Sequence, residues 1–597
     1  MKAIILAAGF GGRMRPLTDT KHKTLLEISG TTIVDRMIRA LEEVGVTEVI
    51  IATGYRHEEL TSHVTGQHQT MNFTFVHNDR YAETNNIFSL ALVLEQIDID
   101  DDIILIESDL IFKAGTLRKL VNSKHDNVAM VDHYKSGMDG TVVKLDGERV
   151  VEVIPPHLQG KSFDFSDKFK TLNIYKFSRE FINGNFSKII RYYAKTIDDN
   201  CYYELILGLL IYLQQDGINA ELVDDEGWAE VDDPNDLNTA EFLFDKESRQ
   251  GILDTSFGGM WNYDVLDFCY IRNMHFPTAA MISEIRLNVE QLMQNYGSSQ
   301  TVLDTKLSYA LLCTKENVCL LNGASQVYPI LAKMFEGKDV LTPAPSFGEY
   351  ERIFPNADNY FDEVGIDFLS LSNRSSSYEL VVVVNPNNPT GTTLESRKLF
   401  DMARENPNTT YLIDESFIDF SKEQSLVNLL EEHPADNLIV IQSLSKSWGV
   451  PGLRLGFVYT TNTQFQNQIR SKLPIWNANS VAEFYLEIFL KHRKSYQDSL
   501  EQTSTDRDDL SSKLSELVFV KRVFESGADF ILVELDGDAN FAAYLTKRLL
   551  EQFDIYVKNI SSKFSSGKGF LRIAVRLPTE HERLVQAMAL ACSNDSR

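Results

Sequence analysis

Two sets of residues in this chain have types and spacings suited to chemistry. The first surrounds Lys446, in Ser443-Leu-Ser445-Lys446-Ser-Trp-Gly449-Val-Pro-Gly452-Leu-Arg454-Leu-Gly456. A lysine in a Ser/Gly-rich turn, with an arginine eight residues on, suits a Schiff-base lysine beside a phosphate-binding arginine. Upstream stand Asn385-Pro-Asn-Asn388-Pro-Thr-Gly391 and Asp414-Glu-Ser-Phe417, with intervals Asn388–Asp414 and Asp414–Lys446 of 26 and 32 residues. The second set directly follows a short apolar run: Leu6-Ala7-Ala8-Gly9-Phe-Gly11-Gly12-Arg13-Met-Arg15-Pro-Leu-Thr18, with Lys23 just beyond. Glycines there let the backbone approach a polyphosphate and aim N–H groups at it, while Arg13 and Lys23 supply positive charge. The loop is neither a Walker loop nor a GxGxxG fingerprint.

The elements that must hold these residues fall into two halves. From Met1 to about Asp245 strand and helix alternate: Lys2–Ala7 and Glu48–Thr53 read as strands, Ile33–Val44 as a helix, and Ile103–Glu107 as a buried strand. That alternation predicts a doubly wound, mostly parallel α/β sheet. Residues 246–262 mix charges with Gly and Ser and are expected to be a linker. The remainder, 263–597, resumes the alternation, with strands near Asn317–Leu321, Leu380–Val384, Thr410–Ile413 and Leu438–Gln442. Its polar motifs fall at strand ends, where open α/β sheets bind ligands.

At 597 residues the chain exceeds what one core supports, and its 43% hydrophobic and 24% charged residues are ordinary globular composition. A net charge of -27 repels nucleic acid and anionic membranes, so small molecules are the expected partners. No apolar run is long enough to span a bilayer. Five irregularly spaced cysteines form no CxxC pair, as expected of reduced thiols in a cytoplasmic protein.

The N-terminal motif, completed by Lys23-Thr-Leu-Leu, resembles nucleotidyltransferases of the sugar-phosphate type over residues 1 to 240. It is most similar to small choline-phosphate cytidylyltransferases, through Asn78-Asp-Arg-Tyr81, Asn85-Asn86-Ile-Phe-Ser89 and Glu107-Ser-Asp109. The resemblance implies a Rossmann-like, GT-A-like domain with a mixed sheet (1–245). Its nucleotide would lie on Leu6, Ala7, Ala8, Gly9, Gly11, Gly12, Arg13, Lys23, Asn85, Asn86 and Ser89. Asp109 and Asp232 would bind Mg²⁺, which typically takes one or two carboxylates plus phosphate oxygens and water. His22 departs from the family, which has Pro before the lysine. Tyr202-Tyr203-Glu204 aligns with a segment that holds an ammonium group, making Tyr203 and Glu204 acceptor-binding candidates. The same segment also reads as a helix start with buried tyrosines.

From about Gly258 onward, the order Asn, Asp, Lys resembles fold-type I pyridoxal-phosphate aminotransferases of the histidinol-phosphate aminotransferase branch. The resemblance makes Lys446 the cofactor lysine and proton carrier, and Asp414 the partner of the pyridine nitrogen. Asn388 would bind the ring oxygen and Phe347, in Pro345-Ser-Phe-Gly-Glu-Tyr350, would stack on the ring. Gly323, Ala324, Ser325, Ser443, Ser445 and Arg454 would hold the cofactor phosphate. Tyr296 would reach the phosphate of a neighbouring subunit in a homodimer, although Tyr296 and Phe347 also read as core residues. Arg572 would clamp the donor's carboxylate. Phe417 stands where this branch has Tyr, which leaves decarboxylation open beside transamination.

A fusion implies that one site's product feeds the other. The whole resembles bifunctional phosphonate-specific cytidylyltransferase–2-aminoethylphosphonate transaminases. Such an enzyme would aminate phosphonoacetaldehyde from an amino-acid donor, then join 2-aminoethylphosphonate to CMP from CTP. The alternatives are a phosphocholine- or phosphoethanolamine-type cytidylyltransferase fused to a histidinol-phosphate-type aminotransferase or a phospho-amino-acid decarboxylase, and a scaffold with dead sites. Intact Lys446, Asp414, Lys23 and Asp109 argue against the scaffold.

Overall fold

A strand covered on both faces must read as a continuous apolar run, and Ala3-Ile-Ile-Leu-Ala7 does. In the computed structural model, which describes residues 1–135, 137–160, 163–214, 217–223 and 227–593, this run is the strand Lys2–Ala7 inside a nine-stranded sheet. Ile4 and Leu6 feed one core with Leu105 and Phe177, while Ala3, Ile5 and Ala7 feed another with Leu41 and Ile106. Lys2–Ala7 lies parallel to Glu48–Thr53 and Ile103–Glu107, and Glu48–Thr53 lies parallel to Asn72–His77. Helices Ile33–Glu43, His57–Gln67 and Asn86–Gln96 make the crossovers.

The other half of this sheet is largely antiparallel. Phe169–Phe177 runs against both Ile103–Glu107 and Val128–His133, and Val142–Asp146 pairs with Arg149–Ile154. Alternation alone therefore overstated the parallel character. The two residues between Asp146 and Arg149 cannot make a crossover and must form a hairpin, with Gly147 at φ 61°.

The chain divides into two units, Met1–Tyr263 and Asp264 onward. The expected linker carries a helix, Arg249–Ser256, which belongs to the first unit. Leu253 in it is fully buried, and Arg249 Nε donates to Phe242 O at 2.8 Å. The Gly/Ser composition concealed these anchoring side chains.

In the second unit a seven-stranded sheet runs in the order Val318–Asn322, Leu455–Tyr459, Leu438–Gln442, Thr410–Asp414, Leu380–Val384, Val340–Ala344, Asp358–Phe361. Leu455–Tyr459 is antiparallel to both neighbours and the other pairs are parallel. An antiparallel four-stranded sheet, Val520–Val523, Phe530–Asp538, Lys568–Ala574 and Lys558–Asn559, completes the unit. No helix among the described residues is long and apolar enough to cross a membrane, and all five cysteines are free.

Candidate active sites

Parallel strands present their carboxyl ends on one edge, and in the second unit three neighbours end at Val384, Asp414 and Gln442. Residues at or just past those ends meet in a cavity of about 280 Å³. Of the predicted cofactor residues, Ala324, Ser325, Phe347, Asn388, Asp414, Ser443, Lys446 and Arg454 line it, and so does Arg572, the predicted clamp for the donor's carboxylate. Lys446 sits in the short helix Leu444–Ser447. Burial holds its amine below the ordinary lysine range, opposed by Asp529 and reinforced by Arg572 and Arg454.

Asp414 is buried, and three hydrogen bonds fix it. Tyr350 Oη donates to Oδ2 at 2.7 Å, while Ser416 N and Oγ donate to Oδ1 at 3.0 and 2.6 Å. Burial raises its pKa against the pull of these hydrogen bonds. Arg454 donates to Ser325 Oγ at 2.9 Å and lies across Gly323, where a Cβ would come within 2.5 Å of the guanidinium. Gly323 has φ +74°, a backbone conformation that favours glycine. Arg572 donates to Asn388 Oδ1 (2.9 Å) and Cys269 O (2.7 Å).

Gly323, Ser445 and Tyr296 are outside this lining. Ser445 is buried with its hydroxyl turned to Leu455 O, away from the cavity lining. Tyr296 is 79% exposed, stacks on Trp476 with ring centroids 4.3 Å apart, and does not line its own chain's cavity. Phe417 lines the cavity and packs edge-on against Phe530 at 5.1 Å. A pyridoxal phosphate fits this set: a lysine amine that makes no hydrogen bond among the described residues, a buried carboxylate, and a glycine-arginine-serine cradle.

In the first unit Leu6, Ala8, Gly9, Gly11, Lys23, Asn85, Asn86, Ser89 and Asp109 surround a cavity of about 210 Å³, with Tyr202 and Glu107. Ala7, Gly12 and Arg13 are not in its lining. Gly11 has φ +62°, and a Cβ there would press on Lys23 and Thr18 at 3.2 Å. The N-terminus of helix Asn86–Gln96 contributes to the wall.

Lys23 Nζ bridges Asp109 (3.1 Å) and Asp232 (2.9 Å), and Arg13 pairs with Asp232 at 2.7 Å. Asp109 Oδ1 is buried without a partner. No cluster of three or more His, Cys, Asp or Glu able to hold a metal occurs among the described residues. A Mg²⁺ that draws its other ligands from phosphate and water fits this two-carboxylate pair.

His22 is a structural residue. It is 1% exposed, its Nδ1 accepts from Thr24 N at 3.2 Å, and its Nε2 then donates to Ala7 O at 3.2 Å. Burial lowers its pKa to about 4, so the ring is neutral and ties the Lys23 turn to the first strand.

Tyr203 and Glu204 do not line the glycine-loop cavity; Tyr202 does. Tyr203 is fully buried, packing edge-on against Tyr175, and Glu204 opens the helix Glu204–Tyr212 at 4% exposure. The helix start turns both inward, so the buried-tyrosine reading describes this segment. Asn86 joins the layers: its Nδ2 donates to Glu107 Oε1 (2.7 Å) and its Oδ1 accepts from Tyr203 N (3.0 Å). Burial raises Glu204 to about 7 and also raises Glu107, to which Glu204 and Asp109 add.

Sequence reasoning missed a neighbouring cavity of about 200 Å³, lined by Asp139, Lys170, Trp228, Glu230 and Asp232 among others. Asp232 thus faces one cavity while its lysine-bridged partner Asp109 faces the other. Lys170 is 1% exposed; Nζ donates to Thr171 O (2.9 Å) and pairs with Glu230 at 3.2 Å. Burial raises Glu230 to about 7 against the pull of Lys170. The strand Phe169–Phe177 also carries Thr171, Asn173 and Lys176, so nothing local in the sequence singles out Lys170.

The folds and sites define a nucleotidyltransferase joined to a pyridoxal-phosphate aminotransferase. Residues 267–588 match aminotransferase class I and II, and residues 3–161 match the MobA-like NTP transferase domain. The chain is 30% identical to CMP-5'-(3-aminopropyl)phosphonate synthase of Streptomyces rubellomurinus, over 99% of this chain and 95% of that protein. It is 24% identical to an L-serine phosphate decarboxylase of Campylobacter jejuni, over 54% of this chain and 87% of that one. The crystal structure of histidinol-phosphate aminotransferase from Clostridium acetobutylicum superposes with TM-score 0.50 at 24% identity, covering 55% of this chain and 100% of that one. The chain belongs to the aminotransferase class I and II family and, over its full length, to the family of the Streptomyces synthase, and it is an enzyme with both activities.

Proposed function

We propose that this chain transaminates phosphonoacetaldehyde to 2-aminoethylphosphonate, then transfers CMP from CTP to the phosphonate, giving CMP-aminoethylphosphonate and pyrophosphate. The observation that carries this reading is the cavity beyond Asp232, whose lining holds an ion pair of a cation (Lys170) and a carboxylate (Glu230) beside an aromatic face (Trp228). An ammonium-phosphonate zwitterion needs those three groups. The name of the full-length relative, CMP-5'-(3-aminopropyl)phosphonate synthase, supports an aminophosphonate as the substrate class.

In the first unit the glycine loop and the helix N-terminus at Asn86 hold the nucleotide, and Lys23 and Arg13 turn from the carboxylates to the phosphates. Asp109 and Asp232 would hold Mg²⁺, which neutralises charge on the transferring group. A phosphonate oxygen, anionic near neutral pH, attacks the α-phosphorus; the bond to the bridging oxygen breaks and pyrophosphate leaves. Alignment and charge neutralisation suffice, without a strong general base.

In the second unit Gly323, Ser325, Ser443 and Arg454 would hold the phosphate of pyridoxal phosphate, which would supply an electron sink. Lys446 Nζ moves the proton at the substrate carbon. Asp414 holds a proton on the ring nitrogen, with Tyr350 and Ser416 fixing its orientation. Asn388 offers its amide N–H to the ring oxygen while its Oδ1 positions Arg572, which receives the donor's carboxylate. Tyr296, outside its own cavity, is read as reaching a second copy, which makes the enzyme a homodimer.

The test is Mg²⁺-dependent pyrophosphate release from CTP with 2-aminoethylphosphonate, phosphoethanolamine and phosphocholine. The aminophosphonate is expected to give the highest kcat/KM, and preference for phosphocholine contradicts the proposal. A second reading, in which decarboxylation makes the amine, is favoured by Phe417 and by the decarboxylase relative. Carbon dioxide released from a phosphorylated amino acid would establish it.

A further inference from the structure

Asp529 is fully buried, and neither carboxylate oxygen has a hydrogen-bond partner. Such groups are normally paired, so an orphan near a reactive lysine calls for an explanation. The chain places it closely. Gly527 packs on Thr393 and Ser526 on Gly391, in the loop that carries Asn388. On its other side Phe530 meets Phe417 and lies beneath the Arg572 guanidinium, 5.7 Å from its ring centroid. Asp529 O accepts from Val575 N at 2.9 Å, which pins its backbone beside the strand bearing Arg572.

The charges facing Asp529 are Lys446 from its short helix, Arg572 from the strand Lys568–Ala574 and Arg507 from the helix Arg493–Ser515. Lys446 in turn faces Asp529, Arg572, Arg454 and Cys269. None of the three cations is hydrogen-bonded to Asp529. Arg507 donates to Phe420 O, Ala528 O and Ser504 Oγ, and Arg572 to Asn388 and Cys269 O. Arg572 Nε is itself buried and unpartnered. The region therefore holds an uncommitted anion and an uncommitted guanidinium N–H.

We propose that Asp529 is a positioning residue that balances Lys446 and Arg572 when the cavity holds a substrate without an α-carboxylate. One cavity then serves both an amino acid, whose carboxylate pairs with Arg572, and a carboxylate-free carbonyl compound or amine. Burial pushes the Asp529 carboxyl up to about 7, so it can take up a proton when the donor's carboxylate arrives. This inference rests on the amino-transfer reading.

The experiment compares the wild-type holoenzyme with Asp529→Asn. Without substrate, the pH midpoint of the visible cofactor band is expected to fall by about one unit, because losing an anion eases proton loss from the nitrogen at Lys446. In single half-reactions, conversion by 2-aminoethylphosphonate should slow by roughly tenfold more than conversion by the amino-acid donor, a difference of about 1.4 kcal/mol. An unmoved midpoint, or equal losses in both halves, overturns the proposal. If the Asn variant does not fold, Asp529→Glu decides: it should keep the wild-type midpoint, and a shifted midpoint in the folded Glu variant overturns the proposal. The titration contains no substrate, so it judges Asp529 even if wild-type enzyme ignores 2-aminoethylphosphonate, a result that counts against the proposed function alone.

Discussion

The two sites use charge in opposite ways. In the aminotransferase cavity Asp414 is buried, fixed by three hydrogen bonds and raised in pKa, and Lys446 makes no hydrogen bond among the described residues. In the glycine-loop site the cations are already spent on the carboxylates, Lys23 on Asp109 and Asp232, and Arg13, 64% exposed, on Asp232. The first site is built at strand ends. The second is built on loops, and its ion pairs must be exchanged when polyphosphate and metal arrive. A preformed site needs little rearrangement, whereas an exchanging one depends on its ligands for its geometry.

The comparison breaks most sharply at Lys446. Lys446→Ala is expected to lower amino transfer by at least about 10⁴-fold, the upper range for a lost acid–base group. Cytidylyl transfer should continue, and parallel assays of both activities check this. Next comes the metal pair: Asp109→Ala and Asp232→Ala should each cost on the order of 10³-fold in pyrophosphate release, with amino transfer retained. A variant near wild type would show that the carboxylate was wrongly chosen.

A smaller effect is expected of Phe417→Tyr, which adds a donor at the cavity wall. The pH midpoint of the visible cofactor band should drop by about one unit, the equivalent of one charge-assisted hydrogen bond. The subtlest contrast concerns stability in the first unit. His22 has a folded pKa near 4, below its unfolded value, so its contribution is full above pH 6.5 and is lost as pH falls toward 4. That loss amounts to roughly 3 kcal/mol, and His22→Gln should flatten it in acid thermal melts. Glu204, raised to about 7, works in the opposite sense, stabilising most at low pH and losing that stability as pH rises through 7. Glu204→Gln should remove the alkaline loss, and a marked destabilisation at all pH values would contradict this.

What was legible in the sequence follows from chain geometry. Lys446, Asp414 and Asn388 stand at or just past the ends of apolar strands, so identifying the strands located the residues, and the structure gathers them. Asp109 was readable for the same reason, after Ile103–Ile106. Tyr203 and Glu204 could be read two ways because a helix start sets which side chains turn inward, and a Tyr-Tyr-Glu string does not reveal that rotation. Lys170 and Asp529 carry no local motif. Their settings arise from residues distant in sequence, Glu230 in one case and Arg507 and Arg572 in the other. The antiparallel half of the first sheet was obscured because alternation reports the elements and not the direction in which they pair.

The central claim, that amino transfer on the second unit supplies the acceptor for the first, is tested most directly by one labelled incubation. The purified chain is given phosphonoacetaldehyde, ¹⁵N-labelled amino-acid donors, CTP and Mg²⁺, and the nucleotide products are read by mass spectrometry. The account predicts CMP-aminoethylphosphonate carrying ¹⁵N from the wild type, none from Lys446→Ala, and unlabelled product from Lys446→Ala once 2-aminoethylphosphonate is added. A wild-type product lacking the label, or no cytidylylated aminophosphonate while both sites turn over other substrates, would contradict it.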